Sequence, residues 1–338
     1  ERQKAEINPM QYGTIVHYIL ERFFGEYTKE EYLSLEEDKF QKIVCAYLAE
    51  YAVKYFGEEQ LESNSFTYRL KTILDNVMYL MKHIMEELSQ SEFFVADCEL
   101  KIGEDIPSYT IVLPDGHKIA VCGSVDRVDI MQRADITYLR IIDYKTGTKQ
   151  FKLSDILYGI NLQMLLYLHS IEASGGDKYG EIVPAGILYM PATVPYISSD
   201  SLKSIDKLPD ELNKKLKMNG LLLKDTEIIH GMDKTDVATY IPVKIKAGEP
   251  VSSTSLATLA EFGKIFKKVD MLIAEMGKNI YNGNIEAKPL KGGHDSCEYC
   301  PYDSVCAYRQ SNPITCFSVD NKTVIEEITN EINGKEEE

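Results

Sequence analysis

Apolar positions along the chain follow two periods, and the switch between them divides it. Asn8-Pro9 places a capping residue before a proline, a helix start, and Ile15, Val16, Ile19, Leu20 and Phe23 then recur at helical spacing within residues 10–24. Gly13 stands in that run as a position where another segment would approach closely. Further helices are predicted over residues 35–56 and 67–88, separated by a polar break at 57–65, with apolar stripes set among Glu and Lys. From residue 93 the pattern becomes that of strands, over 94–102, 109–113, 118–131 and 137–144, with Pro114-Asp115-Gly116 as a turn. A helix over 154–170, the pair Gly175-Gly176 and a strand over 186–190 follow. Strands in the centre with helices on either side predict an α/β core with a mixed sheet. Residues 192–250 lack a clean period; a short helix near 209–217 and a strand over 240–244 are expected there, on an insertion. A long amphipathic helix is predicted over 254–278.

Composition bounds this picture. The 338 residues, 44% of them apolar, suit two domains or one large domain with insertions. Lys and Arg number 37 against 53 Asp and Glu, a formal charge of −16, which excludes a broadly basic nucleic-acid coat but not a local basic patch. The stretch from Phe317 holds seven acidic and two basic residues and is expected to be a solvated helix or disordered. No apolar run approaches the roughly 18 residues of a membrane span, and no basic-then-apolar leader is present, so a soluble, cytoplasmic protein is expected. The chain opens on Glu1 rather than Met, as a fragment of something longer would.

The chemistry concentrates in Gly123-Ser-Val-Asp126-Arg127-Val-Asp129 and Ile141-Ile-Asp143-Tyr-Lys145-Thr-Gly147. Asp143 and Lys145 stand two apart at the end of an apolar strand, so their side chains share a face. Antiparallel pairing of the neighbouring strand would bring Asp126 beside Asp143. Two carboxylates and a lysine suit a hydrated Mg²⁺ or Mn²⁺ ion, the oxygen-rich setting hard cations require. Such a site can bind a phosphodiester oxygen and lower the pKa of an attacking water. Lys145 would orient that water or offset phosphate charge. Alternatively, Asp143 and Lys145 form an ordinary edge ion pair. His17 is by default a satisfied core histidine, and becomes a further metal ligand if its helix packs over the sheet end. Gln163 and Tyr167, four apart, share a helix face where they could meet DNA or the carboxylates. Glu99, a lone carboxylate between Cys98 and Leu100, is a candidate to approach the site. Lys149 and Lys152 add local positive charge beside Lys145.

Of seven cysteines, Cys45, Cys98 and Cys122 read as small buried hydrophobes. Cys297-x2-Cys300-Pro301-x4-Cys306 has the spacing of metal ligands; spacing alone leaves zinc, an iron–sulfur cluster and structural thiols open. No Walker-type phosphate loop occurs, so the chain is not itself a nucleotide-driven motor.

Taken in order, Gly13-x3-His17, Gly123-x2-Asp126-Arg127-x-Asp129, Asp143-Tyr144-Lys145-Thr146-Gly147 and Gln163-x3-Tyr167 resemble the RecB-like branch of the PD-(D/E)XK nucleases. The resemblance covers nearly the whole chain. It is nearest to the carboxy-terminal nuclease region of AddB-type subunits of bacterial helicase–nucleases in double-strand break repair. It implies a restriction-endonuclease-like core and Mg²⁺- or Mn²⁺-dependent exonuclease action on unwound DNA. It implies His17, Asp126 and Asp143 as metal ligands, Lys145 as the hydrolytic lysine, and Gln163 and Tyr167 beside them. The implied partners are DNA and an AddA-type helicase–nuclease subunit. The family also carries a [4Fe–4S] cluster on four cysteines; Cys297, Cys300 and Cys306 match the last three. The first would precede the segment 1–13, so the cluster is expected to be incomplete or absent in this chain. The expected division is a helical part over 1–92, the nuclease core over 93–191, an insertion and long helix over 192–290, a cysteine region over 291–316 and an acidic tail over 317–338. A catalytically quiet DNA-binding scaffold and a stand-alone Cas4-like exonuclease are the alternatives.

Overall fold

The first helix begins as Asn8 and Gln11 dictate. Asn8 Oδ1 accepts from the Gln11 N–H at 2.8 Å, and Gln11 Oε1 accepts from the Asn8 N–H at 3.0 Å, a reciprocal cap. The computed structural model describes residues 7–147, 149–195, 208–252, 254–306 and 313–336; the outermost residues of the expected division, 1–6 and 337–338, lie outside these. Five helices come first: α1 (Pro9–Glu26), α2 (Lys29–Leu33), α3 (Glu37–Phe56), α4 (Glu58–Leu61) and α5 (Asn64–Ser89). Strands β1 (Phe94–Ile102), β2 (Thr110–Val112), β3 (Lys118–Ala120), β4 (Gly123–Arg133) and β5 (Ile136–Lys145) follow. A 3₁₀ turn (Leu153–Tyr158), α6 (Gln163–Ser174), α7 (Gly176–Tyr179) and β6 (Glu181–Pro191) complete the centre. Beyond it lie α8 (Leu208–Leu216), β7 (Asn219–Leu223), α9 (Thr226–Met232), β8 (Lys244–Lys246), β9 (Glu249–Val251) and β10 (Leu256–Ala257). The chain then runs through α10 (Leu259–Tyr281), β11 (Leu290–Gly292), α11 (Asp303–Cys306), β12 (Ile314–Cys316) and α12 (Asn321–Glu336).

Six strands form the central sheet in the order β1-β4-β5-β6-β7-β10. The β1–β4, β4–β5 and β6–β7 pairs are antiparallel, whereas β5–β6 and β7–β10 are parallel, so the sheet is mixed as expected. Helix α1 packs on β1 and β5, and α6 on β5 and β6, with α10 behind α6. Ile15, Val16, Ile19, Leu20 and Phe23 are all buried, the face their spacing predicts.

Several expectations are corrected. The strand predicted over 118–131 is two strands, because the Val121 N–H turns away to the Tyr109 carbonyl at 2.8 Å. Its first piece pairs with β2 in a separate hairpin. The helix predicted over 154–170 is a 3₁₀ turn followed by α6, broken where Gly159 takes φ 67° and Asn161 φ 54°. The polar break over 57–65 holds α4 and the start of α5. No strand forms over 240–243: Pro242 lacks an N–H, and the Tyr240 N–H goes to Asp233 Oδ2 at 2.7 Å. The long helix starts at Leu259 rather than 254, capped by Thr258, while Leu256–Ala257 pair with β7. The sheet thus continues past residue 191 into the stretch read as an insertion. Cys122 is exposed, not buried. Within the acidic stretch Asn321–Glu336 forms a helix, one of the two states expected, but not a wholly solvated one: Val324, Ile328 and Ile332 are buried and Lys268 reaches Glu331 at 2.5 Å. No helix of the described residues is long and apolar enough to cross a membrane.

Beneath the sheet end sits a fully buried ionic quartet. Arg127 Nε and Nη2 donate to the two oxygens of Asp129 at 2.6 and 2.7 Å, and Nη2 also reaches Glu87 at 3.0 Å. Arg140 donates to Asp129 at 3.0 Å and to Glu87 at 2.5 Å. All four side chains are 0% exposed, so the two cations and two anions compensate one another away from water.

Candidate active site

The β4–β5 ladder pairs Arg127 with Ile142, so one step further along Asp126 stands opposite Asp143. This is the arrangement strand alternation predicted. Asp126 Oδ2 accepts from the Tyr144 N–H at 2.9 Å, which fixes the carboxylate at the sheet end. Helix α1 carries His17 to the same place: Nδ1 lies 2.9 Å from Glu99 Oε1 and Nε2 3.6 Å from Asp126 Oδ2. The imidazole also meets the Tyr144 ring edge-on, with centroids 5.8 Å apart. His17 is therefore not a core histidine. Gly13 is not forced by space, since a Cβ there would meet Thr146 at an ordinary 3.7 Å.

Glu99 reaches the site through its backbone. It takes φ 51°, in the left-handed region that costs a non-glycine residue of the order of 1–3 kcal/mol, and β1 skips a pairing there between Cys98–Arg127 and Leu100–Val125. Its second oxygen accepts from Ser124 Oγ at 2.9 Å. His17, Glu99 and Asp126 each offer a ligand atom, all within 4.8 Å of one another; among the described residues this is the one such group of three or more. Asp143 stands beside the group. It is 5% exposed, and its Oδ2 is ion-paired with Lys145 Nζ at 2.5 Å. The Asp143–Lys145 pair is thus at the site and not on a solvated edge.

Tyr167 packs against the start of β4 so closely that a Cβ on Gly123 would lie 2.2 Å from its hydroxyl; glycine at 123 is a requirement of that contact. Gln163 is exposed, and its Nε2 reaches the Tyr167 hydroxyl at 3.5 Å, the outer limit of a hydrogen bond. Of the cations expected nearby, Lys149 is half-buried over the Tyr189 ring and Lys152 is exposed.

The electrostatics are those of a crowded anionic pocket. Burial, reinforced by Asp143, pushes Asp126 up to about 6, against the opposing pull of His17 and the Tyr144 N–H. Burial draws His17 down, but its bond to Glu99 and the charges of Asp126, Glu99 and Asp143 outweigh this and raise it above 6.5. The same bond lowers Glu99. An imidazole nitrogen and two carboxylates converging beside a third carboxylate, Asp143, fit a divalent cation of the Mg²⁺ or Mn²⁺ type. When His17 is neutral and its Nδ1–H donates to Glu99, the Nε2 lone pair is left on the side of Asp126, the orientation a carboxylate-held ligand histidine takes.

Cys297 and Cys300 are half-buried and Cys306 is exposed; among the described residues their thiols do not gather with a fourth ligand into a closed site. They therefore do not, as placed, fit a four-cysteine cluster. Cys316 is buried on β12, paired with β11.

Comparison with known proteins agrees with this geometry. Residues 1–307 match the PD-(D/E)XK nuclease superfamily. The chain is 34% identical over 320 residues to the B-type subunit of the ATP-dependent helicase/deoxyribonuclease of Thermoanaerobacter sp. (strain X514), covering 91% of this chain and 28% of that protein. It is 32% identical over 348 residues to the protein of the same name from Alkaliphilus oremlandii, covering 98% and 30%. With that from Clostridium kluyveri it shares 33% identity over 355 residues, covering 100% and 30%. The chain thus spans less than a third of the length of these relatives. A mixed sheet whose strand ends gather Asp126, Asp143 and Lys145, and a match over residues 1–307, lead to one assignment: the chain belongs to the PD-(D/E)XK nuclease superfamily.

Proposed function

We propose that this chain is a metal-dependent deoxyribonuclease domain that hydrolyses phosphodiester bonds of unwound DNA, as part of a bacterial helicase–nuclease. The observation that carries this reading is the convergence of His17, Glu99 and Asp126 beside the buried Asp143–Lys145 pair. His17, Asp126 and Asp143 are the proposed cation ligands; Glu99 either joins them or holds His17 in its ligating tautomer. A divalent cation held by these residues would neutralise phosphate charge and lower the pKa of an attacking water. Lys145, kept by Asp143, supplies a fixed positive charge beside the scissile phosphate. The Tyr144 N–H holds Asp126 in place, and Tyr167 packs against Gly123 at the start of the same strand. The relatives are named as subunits of an ATP-dependent helicase/deoxyribonuclease, which supports the DNA substrate and a companion helicase subunit of AddA type.

The test is degradation of end-labelled linear single-stranded DNA in Mg²⁺, Mn²⁺ or EDTA, alone and with the companion subunit. EDTA should abolish cutting. Asp143→Ala and Lys145→Ala should each lower it at least about 100-fold, and Glu99→Gln should raise the Mn²⁺ concentration needed by about 10-fold or more. A folded parent that cuts nothing in either setting would leave a quiet DNA-binding scaffold in its place.

A further inference from the structure

Beyond the cation ligands, one row of side chains crosses three strands at this end of the sheet. Asp143 on β5 pairs in register with Tyr189 on β6, and Tyr189 pairs with Asn219 on β7. Partners in register project from the same face. Tyr189 is 3% exposed and forms a floor under two ammonium groups: Lys145 Nζ lies 5.8 Å and Lys149 Nζ 5.1 Å from its ring centroid. Lys145 is occupied by Asp143. Lys149 is not: among the described residues no carboxylate pairs with it, although Asp143 and Asp155 lie near enough to be felt.

The backbone that carries Lys149 is pinned. Asn219 Oδ1 accepts from the Phe151 N–H at 2.7 Å, and Asn219 Nδ2 donates to the Lys149 carbonyl at 3.2 Å. One amide thus satisfies a donor and an acceptor of a segment that belongs to no helix or strand. Lysine is a long, entropically costly side chain to hold half-buried, and a clamp beneath it together with an aromatic surface under its head lowers that cost. Two ammonium groups over one ring also repel: burial first, then Lys145, pulls Lys149 below its usual range. An anion placed between them relieves that repulsion.

We propose that Lys149, held by Asn219 and Tyr189, is a second phosphate-binding cation that grips the DNA phosphate next to the scissile one. It would act as a point charge on the backbone, without regard to base sequence. This rests on the nuclease reading of the site, and it adds a substrate contact outside the cation ligands and Lys145.

The experiment measures binding of a fluorescein-labelled oligothymidylate to the full chain across a salt series, with Ca²⁺ in place of Mg²⁺ and the oligonucleotide checked for integrity. Lys149→Gln should weaken binding about tenfold, the scale of one lost charge-assisted contact. It should also make the slope of log affinity against log salt shallower by about 0.7, one phosphate's worth for a single strand. Lys149→Arg should restore both, and melting temperatures of all three proteins should coincide. Unchanged affinity or unchanged slope overturns the proposal; so does a loss of affinity that tracks a loss of melting temperature, which would make Lys149 a prop for Tyr189. The two readings fail separately. A parent that never cuts in Mg²⁺ or Mn²⁺ but binds DNA through Lys149 removes the nuclease and keeps the contact. A parent that cuts, with Lys149→Gln indistinguishable from it in binding, does the reverse.

Discussion

At Asp126 and His17 protons and the proposed cation would compete for the same atoms. Burial and Asp143 raise Asp126 to about 6, and the surrounding carboxylates raise His17 above 6.5. Both must be deprotonated to ligate, so cation binding releases protons wherever these groups hold them. As pH falls through the His17 value, apparent Mn²⁺ affinity should begin to drop by up to about tenfold per pH unit. Below about 6, where Asp126 also takes up a proton, the fall should steepen toward about a hundredfold per unit. Titration calorimetry with Mn²⁺ at several pH values between about 5 and 8 checks this. An affinity flat across that range would remove both residues from the ligand set. The pairing of Asp126 with Asp143 was readable in the sequence because antiparallel pairing of two neighbouring strands fixes which side chains meet, whereas helical spacing placed His17 on α1 but left it by default a core histidine, and only the family resemblance set it at the site. Glu99 was marked only as a lone carboxylate inside an apolar strand. What aims it at His17 is φ 51° at a glutamate, a conformation no residue pattern announces.

Among the elements, the quartet Glu87, Arg127, Asp129 and Arg140 ties α5 to β4 and β5 directly behind the site; Arg127 Nη1 also lies 3.4 Å from the Tyr144 hydroxyl. Glu87→Gln keeps the shape but leaves two buried guanidiniums facing one carboxylate. Such an uncompensated buried charge should destabilise the fold by about 3–5 kcal/mol, read from urea unfolding. A loss below about 1 kcal/mol would mean that water reaches the quartet. A second joint lies where α6, α10 and the segment entering β2 meet. His169 on α6 stacks on Phe266 and approaches Asp270 and the Tyr109 hydroxyl, each at 3.2 Å. Burial lowers its pKa, but its bonds to Asp270 and Glu172 prevail and raise it to about 9. A histidine raised in the folded state contributes stability that is full below its unfolded value near 6.5 and is lost as pH rises through about 9. The melting-temperature gap between the parent and His169→Phe should therefore be wider at about pH 6 than at about pH 9.5; a constant gap would assign His169 to packing alone. Element identity was legible where period and length agreed, as in β1. It failed where a single backbone angle intervenes, as at Gly159. In α12 the helix was one of two states expected, but its buried face was missed: Val324, Ile328 and Ile332 recur every four residues, yet the acidic residues around them dominate the reading.

For the molecule as a whole, the decisive quantity is a formal charge of −16 set against the polyanionic substrate proposed for it. Counterion release from phosphate contacts supplies most of the affinity of non-specific nucleic-acid binding, and each contact on a single strand contributes about 0.7 to the salt slope. Beside the carboxylate cluster the geometry offers two such cations, Lys145 and Lys149, so the slope should be near about −1.4 and no steeper than about −2. With EDTA present the carboxylates at the strand ends repel the same phosphates, and at about 0.15 M salt the chain alone should bind single-stranded DNA more weakly than about 10⁻⁵ M. Mn²⁺ or Ca²⁺ reverses the sign of the pocket and should tighten binding at least about tenfold. Fluorescence anisotropy with and without the cation measures both numbers. A slope of about −4 or steeper would require a basic groove elsewhere on the surface. Affinity indifferent to the cation would mean that DNA does not enter the site at all. A shallow slope with a large cation effect is what a domain needs when the strand is delivered to it rather than captured from solution, because its own surface then has only to hold one or two phosphates in register with Asp126, Asp143 and Lys145.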